Sequence, residues 1–194
     1  VWSKDGTLCG AEALARWDDP DFGLLQPDMF ISILEEYHLI HKLDMTVMEI
    51  VCKDLQEAKE KFGKAVPVSI NFSRLDFELA NPVEALENCM EKYGLEKDSI
   101  HIEITESVLG DGNHRLTNAL DDFRKKGYSL WLDDFGSGYS GLNVLKDYTF
   151  DMMKIDMKFL SKFSENEKTK TILTTIVDLA KKIGLNTLSE GVET

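Results

Sequence analysis

What limits this chain most is a series of short β-rich runs, each followed by a helical segment, with a polar side chain near the C-terminal end of almost every run. Residues 66–72, 100–105, 129–135, 151–157 and 185–190 read as strands. An earlier apolar run at 8–17, carrying Glu12, makes six. Between them, Leu43, Val47, Ile50, Val51, Leu55 and Ala58 recur at helical spacing and stop at Gly63. Asn81-Pro82 opens a second helix, with Leu86 and Met90 on one face and Gly94 at its end. Leu116, Leu120 and Phe123 mark a third, ending at Gly127; Ile172, Ile176, Leu179, Ala180 and Ile183 mark a fourth, ending at Gly184.

Strand–helix alternation at this spacing implies parallel strands joined by helical crossovers. The choice is then between an open doubly wound sheet and a barrel. Asn71, Glu103, Asp133 with Asp134, Lys154 and Glu190 fall near the ends of separate strands. An open sheet gathers its ligand at one switch point, whereas a ring of strands brings all of these groups to one mouth. The expected fold is α/β, a (β/α)8 TIM-type barrel. Such a barrel takes about 250 residues. The 194 residues here are therefore expected to lack its first and last strands, and to form one domain that is partial at both ends.

Charge narrows the partners. The chain carries 22 basic and 35 acidic residues, a net charge of −13. A protein that grips DNA or RNA polymers needs the opposite sign. No segment approaches the roughly 20 apolar residues of a membrane span, and no signal peptide is visible. Cys9, Cys52 and Cys89 form no CxxC pair, and their odd number argues against a disulfide framework. They read as inert core thiols in a reducing, cytoplasmic domain.

The seven strand-end groups, Glu12, Asn71, Glu103, Asp133, Asp134, Lys154 and Glu190, carry the chemistry. Singly, a carboxylate after a strand is most often a helix cap, and a lysine such as Lys154 can snorkel to the barrel rim. Together, five carboxylates at one mouth raise one another's pKa unless cations occupy the space. Oxygen donors without His or Cys suit Mg²⁺ or Mn²⁺ rather than zinc. Asp133-Asp134 is a natural place for one carboxylate to bridge two ions while its neighbour binds the second, as in two-metal attack of water on a phosphodiester.

At these residues a family resemblance emerges. Glu12-Ala13-Leu14-Ala15-Arg16-Trp17 resembles the signature that names EAL domains. Ser69-Ile70-Asn71-Phe72-Ser73, Ile102-Glu103-Ile104-Thr105-Glu106-Ser107 and Asp133-Asp134-Phe135-Gly136-Ser137-Gly138-Tyr139-Ser140 resemble the next three motifs. Lys154-Ile155-Asp156 and Ser189-Glu190-Gly191-Val192-Glu193-Thr194 complete the series in order. The resemblance implies hydrolysis of cyclic di-GMP to linear pGpG at a two-metal Mg²⁺ or Mn²⁺ site. It implies Glu12, Asn71, Glu103, Asp133 and Asp134 as metal ligands, and Lys154 with Glu190 as the water-activating pair. Arg16 and Leu14 would contact substrate, and Glu106 would brace the loop after Asp133-Asp134. A homodimer is implied too, along with sensory or GGDEF domains elsewhere in the parent protein. The rival reading is a non-catalytic cyclic di-GMP receptor of the same fold. Such domains usually lack several metal ligands, whereas every ligand position here is filled.

Two departures from the family pattern are expected to loosen the loop after Asp133-Asp134: Gly141 where a serine is usual, and Thr149 where a proline is usual. A glutamine expected near the site falls beyond Thr194. Gly136 to Gly141 also fits GxGxxG, but the two aspartates before it would repel a pyrophosphate. His38 and His41 beside Glu35, on one expected helix, read as packing or surface residues. Residues 57–64 read as a solvated helix face, and Trp131 as core.

Overall fold

The computed structural model describes residues 1–3, 5–109, 114–136, 141–156 and 167–189. Six strands form one parallel sheet: β1 (Ala11–Glu12), β4 (Val68–Asn71), β5 (Ile100–Thr105), β6 (Ser129–Phe135), β7 (Met152–Ile155) and β8 (Asn186–Ser189). Between β1 and β4, β2 (Trp17–Asp19) and β3 (Gly23–Leu25) make a separate antiparallel pair. The helices are α1 (Pro27–Glu36), α2 (Ile40–Phe62), α3 (Arg74–Leu79), α4 (Pro82–Tyr93), α5 (His114–Lys125), α6 (Gly141–Asp147) and α7 (Glu167–Lys182).

Sheet order follows chain order, β1-β4-β5-β6-β7-β8, with every pairing parallel. A doubly wound sheet reverses its order at a switch point. The absence of a reversal across these six strands is the winding of a barrel wall, curled as an arc with helices on its outer side.

Strand alternation sorts the residues. The helix-facing side of the sheet is apolar and sealed: Ile70, Ile100, Ile102, Ile104, Leu130, Leu132 and Met153 are each 0–1% exposed. They join Met48, Val51, Cys52 and Leu55 of α2, Leu86 of α4, and Leu116, Leu120 and Phe123 of α5 in one core. Burying each such side chain contributes about 1.5–3 kcal/mol. The opposite face carries Ser69, Asn71, His101, Glu103, Trp131, Asp133 and Lys154. Trp131 is core as expected, 7% exposed and stacked on His101 with ring centroids 4.6 Å apart.

Local chemistry sets the helix ends. Asn81 caps α4 by accepting from the Glu84 amide at 3.3 Å, Pro82 follows it, and Gly94 closes the helix with φ 60°. The β2–β3 hairpin, unforeseen in sequence, turns on Asp19, whose Oδ1 accepts from the amides of Asp21 (2.9 Å) and Phe22 (3.1 Å). The hairpin turn therefore begins where β2 ends, at Asp19-Pro20.

Three other expectations change. Cys9 is exposed, while Cys52 and Cys89 are buried. Ile50 is 51% exposed, on the outer side of α2. Glu35, His38 and His41 do not share a helix: α1 ends at Glu36, His38 takes φ 55°, and α2 starts at Ile40. Residues 57–64 are solvated as expected, except for Ala58, which is half-buried.

Candidate active site

The acids come together at the C-terminal ends of the strands. Glu12 closes β1, Asn71 closes β4, Glu103 lies in β5, Asp133 in β6 and Lys154 in β7. Register places Glu12 beside Ser69 and Asn71 beside Glu103, so the residues share the inner face. One carboxylate oxygen from each of Glu12, Glu103 and Asp133 lies within 4.8 Å of the others. Lys154 sits among them, its Nζ 3.1 Å from Glu12 Oε2, 3.0 Å from Glu103 Oε2 and 3.1 Å from Asp133 Oδ1. Asn71 donates its amide to the other Glu12 oxygen at 3.1 Å, fixing that carboxylate from both sides.

The pocket floor is dry: Glu103 is 0% and Lys154 2% exposed. Burial pushes the Glu103 carboxyl up to about 7; the Lys154 ammonium opposes that rise and the Glu12 charge adds to it. Ser69, sealed at 0% exposure, donates its hydroxyl to the Ala11 carbonyl at 3.3 Å and helps to hold the Glu103 carboxyl down. Sequence reading gave Ser69 no role. The signal was its place two residues before Asn71, which puts both on one face of the strand.

Asp133 and Asp134 are adjacent, so an unbroken strand would send them to opposite faces. The β6–β7 register instead shifts between Leu132 and Phe135, three residues on β6 against two from Met153 to Ile155. Asp134 takes φ 54°, a left-handed conformation that Asp tolerates better than most residues. The extra residue is a β-bulge, and the helix-facing place that alternation would give Asp134 goes to buried Phe135. Asp134 itself is half-buried.

Glu106 stands apart from the cluster. Strand β5 stops at Thr105, and Glu106, 2% exposed, starts a 3₁₀ turn. Its Oε2 accepts from the Gly136 amide at 3.1 Å, one residue past the end of β6. Arg16 and Leu14 lie in the exposed segment after β1, where Arg16 donates to the Ala15 carbonyl at 2.8 Å. Glu190 lies outside the described residues.

The donor set fits a hard cation. Glu103 Oε1 is buried and accepts no hydrogen bond, while buried Asp133 Oδ1 faces the Lys154 ammonium at 3.1 Å. Carboxylate oxygens left without donors in a dry pocket are costly unless a cation completes them. Lys154 supplies one built-in positive charge, against three acids.

The arrangement is that of a barrel-wall domain whose acidic mouth is suited to a cation. The EAL domain family matches residues 1–194, and the chain belongs to it. It is 32% identical over 194 residues to the probable cyclic di-GMP phosphodiesterase PdeG of Escherichia coli K12, covering 100% of this chain and 38% of PdeG. It is 33% identical over 190 residues to the cyclic di-GMP phosphodiesterase NbdA of Pseudomonas aeruginosa, covering 98% of this chain and 24% of NbdA. The chain thus spans less than half the length of these relatives. Among solved structures, the PaMucR phosphodiesterase in complex with c-di-GMP superposes with a TM-score of 0.88 at 30% identity, covering all of this chain and 78% of that one.

Proposed function

We propose that this domain hydrolyses cyclic di-GMP to linear pGpG, with Mg²⁺ or Mn²⁺ held by Glu12, Asn71, Glu103, Asp133 and Asp134. The observation that carries this reading is the gathering of Glu12, Glu103 and Asp133 within 4.8 Å around Lys154, with the buried Glu103 Oε1 accepting no hydrogen bond. Membership of a family whose relatives are named as phosphodiesterases supports the substrate.

In the overall reaction water adds its hydroxyl to one phosphorus, the bond from that phosphorus to the 3′ oxygen breaks, and the 3′ oxygen takes the remaining proton. Two ions, when bound, supply Lewis-acid activation of the water and neutralise charge on the phosphoryl oxygens. Lys154 keeps its neighbouring carboxylates in place and holds positive charge in a site shielded from solvent, where such charge acts strongly. With Glu190 it is assigned to orienting the water. Arg16 and Leu14, on the segment leaving β1, are assigned to the substrate, Arg16 to a phosphate. Glu106 braces the chain after the two aspartates through Gly136. The full-length protein is proposed to be cytoplasmic and homodimeric, with sensory or GGDEF domains beyond this one. Among the described residues, no helix is long and apolar enough to cross a membrane.

Incubation with cyclic di-GMP and Mg²⁺, followed by chromatographic separation, tests the reading. Appearance of pGpG is expected. Saturable binding with the cyclic dinucleotide recovered intact would replace it with the receptor reading.

A further inference from the structure

We propose that Asp44 of α2 is a neutral carboxylic acid that donates its proton to Asp76 of α3, and that this shared proton is a positioning device fixing the exit of β4, which carries Asn71.

Asp76 is 0% exposed and spends one oxygen on the turn before it: Oδ2 accepts from both the amide and the hydroxyl of Ser73, the latter at 2.9 Å. This capping box starts α3, with its N-cap Ser73 two residues after Asn71. The other oxygen, Oδ1, is buried and accepts nothing. The Asp44 carboxyl reaches Asp76 within hydrogen-bonding range from α2. Two ionised carboxylates meeting in a desolvated place would repel and leave Oδ1 without a donor. One proton between them removes both penalties. It also ties α2 to the β4–α3 turn, in the manner of acid pairs that cannot both ionise.

His41 of α2 acts on Asp76 as a nearby positive charge, but its effect is smaller than that of burial and does not replace the shared proton. The groups facing the pair are Ser73 at the start of α3 and His41 of α2, whose Nδ1 is itself buried without a partner. On α3, Arg74 is engaged by Glu78 at 2.7 Å, and Arg115 of α5 donates to the Glu78 carbonyl at 3.1 Å. Burial, then the Asp76 charge, then the hydrogen bond between the two acids push the Asp44 carboxyl up to about 9, against a smaller lowering by Ser73. Burial raises Asp76 as well. The folded state therefore keeps a proton that the unfolded chain has given up above its ordinary pKa of 3.8. The stability this confers is full at acid pH and is lost as pH climbs toward about 9.

The pair is tested with Asp44→Asn, whose amide donates to Asp76 Oδ1 at any pH, and with Asp44→Ala, which leaves Oδ1 orphaned. Thermal unfolding in chelator between pH 7 and 9.5 is expected to show a falling Tm in the parent and a flatter profile in Asp44→Asn. Infrared difference spectra at pH 8, where Glu103 is largely ionised, are expected to contain a protonated-carboxyl band that Asp44→Asn abolishes. Equal pH slopes, or no such band, would overturn the shared proton. So would a parent Tm that rises with Na⁺ or Mg²⁺ only when Asp44 is present, which would put a cation between the acids. The link to Asn71 rests on the metal-site reading above. It predicts Mn²⁺ binding about tenfold weaker in Asp44→Ala and unchanged in Asp44→Asn, measured by calorimetry on folded protein. Unchanged Mn²⁺ affinity in Asp44→Ala would overturn the positioning role. A parent that binds no Mn²⁺ at all would sink the metal reading instead, with the spectral and pH experiments still judging the proton.

Discussion

Lys154 Nζ lies 3.0 Å from Glu103 Oε2, and the two side chains are 3% and 0% exposed. A buried pair of this kind contributes little net stability while intact, but losing one member is costly, about 3–5 kcal/mol. Lys154→Met should therefore lower the Tm of metal-free protein. It also removes a cation that competes with added metal, so Mn²⁺ should raise the Tm of the variant more than that of the parent. Equal Mn²⁺-induced shifts in a thermal melt would contradict this arrangement of charge.

Asp133 faces both Lys154 and the other two acids. Asp133→Asn should abolish turnover, a loss of several orders of magnitude, because water activation and charge stabilisation go together. Ca²⁺, larger and tolerant of irregular coordination, is expected to support substrate binding without efficient hydrolysis. Full activity in excess chelator, followed by product chromatography, would remove the metal from the reaction.

Glu103 gives the metal-free site a pH signature. Its carboxyl is raised from 4.5 to about 7, so the folded state takes up a proton that the unfolded state lacks between those values. Stability from this group is fully present below about 4.5 and is lost as pH rises to about 7, a change on the order of 3 kcal/mol. Saturating Mn²⁺ holds the carboxylate ionised and should reverse that part of the slope. Denaturant melts from pH 4.5 to 7.5 with and without Mn²⁺ measure it, and parallel curves would refute it.

Glu106 makes its bond to the Gly136 amide rather than to the acid cluster. Glu106→Ala should lower activity while leaving metal affinity nearly unchanged without substrate, and Glu106→Gln should retain much of the activity through its amide oxygen. Loss of a metal equivalent in calorimetry would make Glu106 a ligand instead.

Gly141 stands where serine is usual, and the vacancy is filled. A Cβ at this position would come 2.8 Å from Phe135 Cε2 and 3.1 Å from its Cζ, so the ring packs directly on the first residue of α6. The expected loosening is therefore opposed by close contact at this position. Gly141→Ser should destabilise, by about 1–3 kcal/mol for forcing atoms into a packed site. A Tm equal to or above that of the parent would show that Phe135 moves aside at little cost.

Much of this was legible because alternation and strand-end position are one-dimensional signals. The six parallel strands follow from residues such as Ile102 and Leu132 repeating every second place, and Glu12, Asn71, Glu103, Asp133 and Lys154 follow from where those runs stop. What escaped depends on neighbours distant in sequence. Asp44 and Asp76 look like ordinary surface acids of two helices until α2 meets the β4–α3 turn. Asp19 looks like a stop until its carboxylate closes the hairpin. Cys9 reads like Cys52, yet only Cys52 finds a helix-packed core around it.

The bulge in β6 acts as a change of phase. Up to Leu132 the even-numbered residues take the helix-facing side; after the bulge that side goes to odd-numbered Phe135. Deleting a single residue at 133 or 134 would restore the regular beat, keep Phe135 in phase with Leu130 and Leu132, and leave one acid where two now stand. Packing and chemistry are thus written in different frames along the same seven residues of β6. A strand of this kind can lose its chemistry while its fold survives intact.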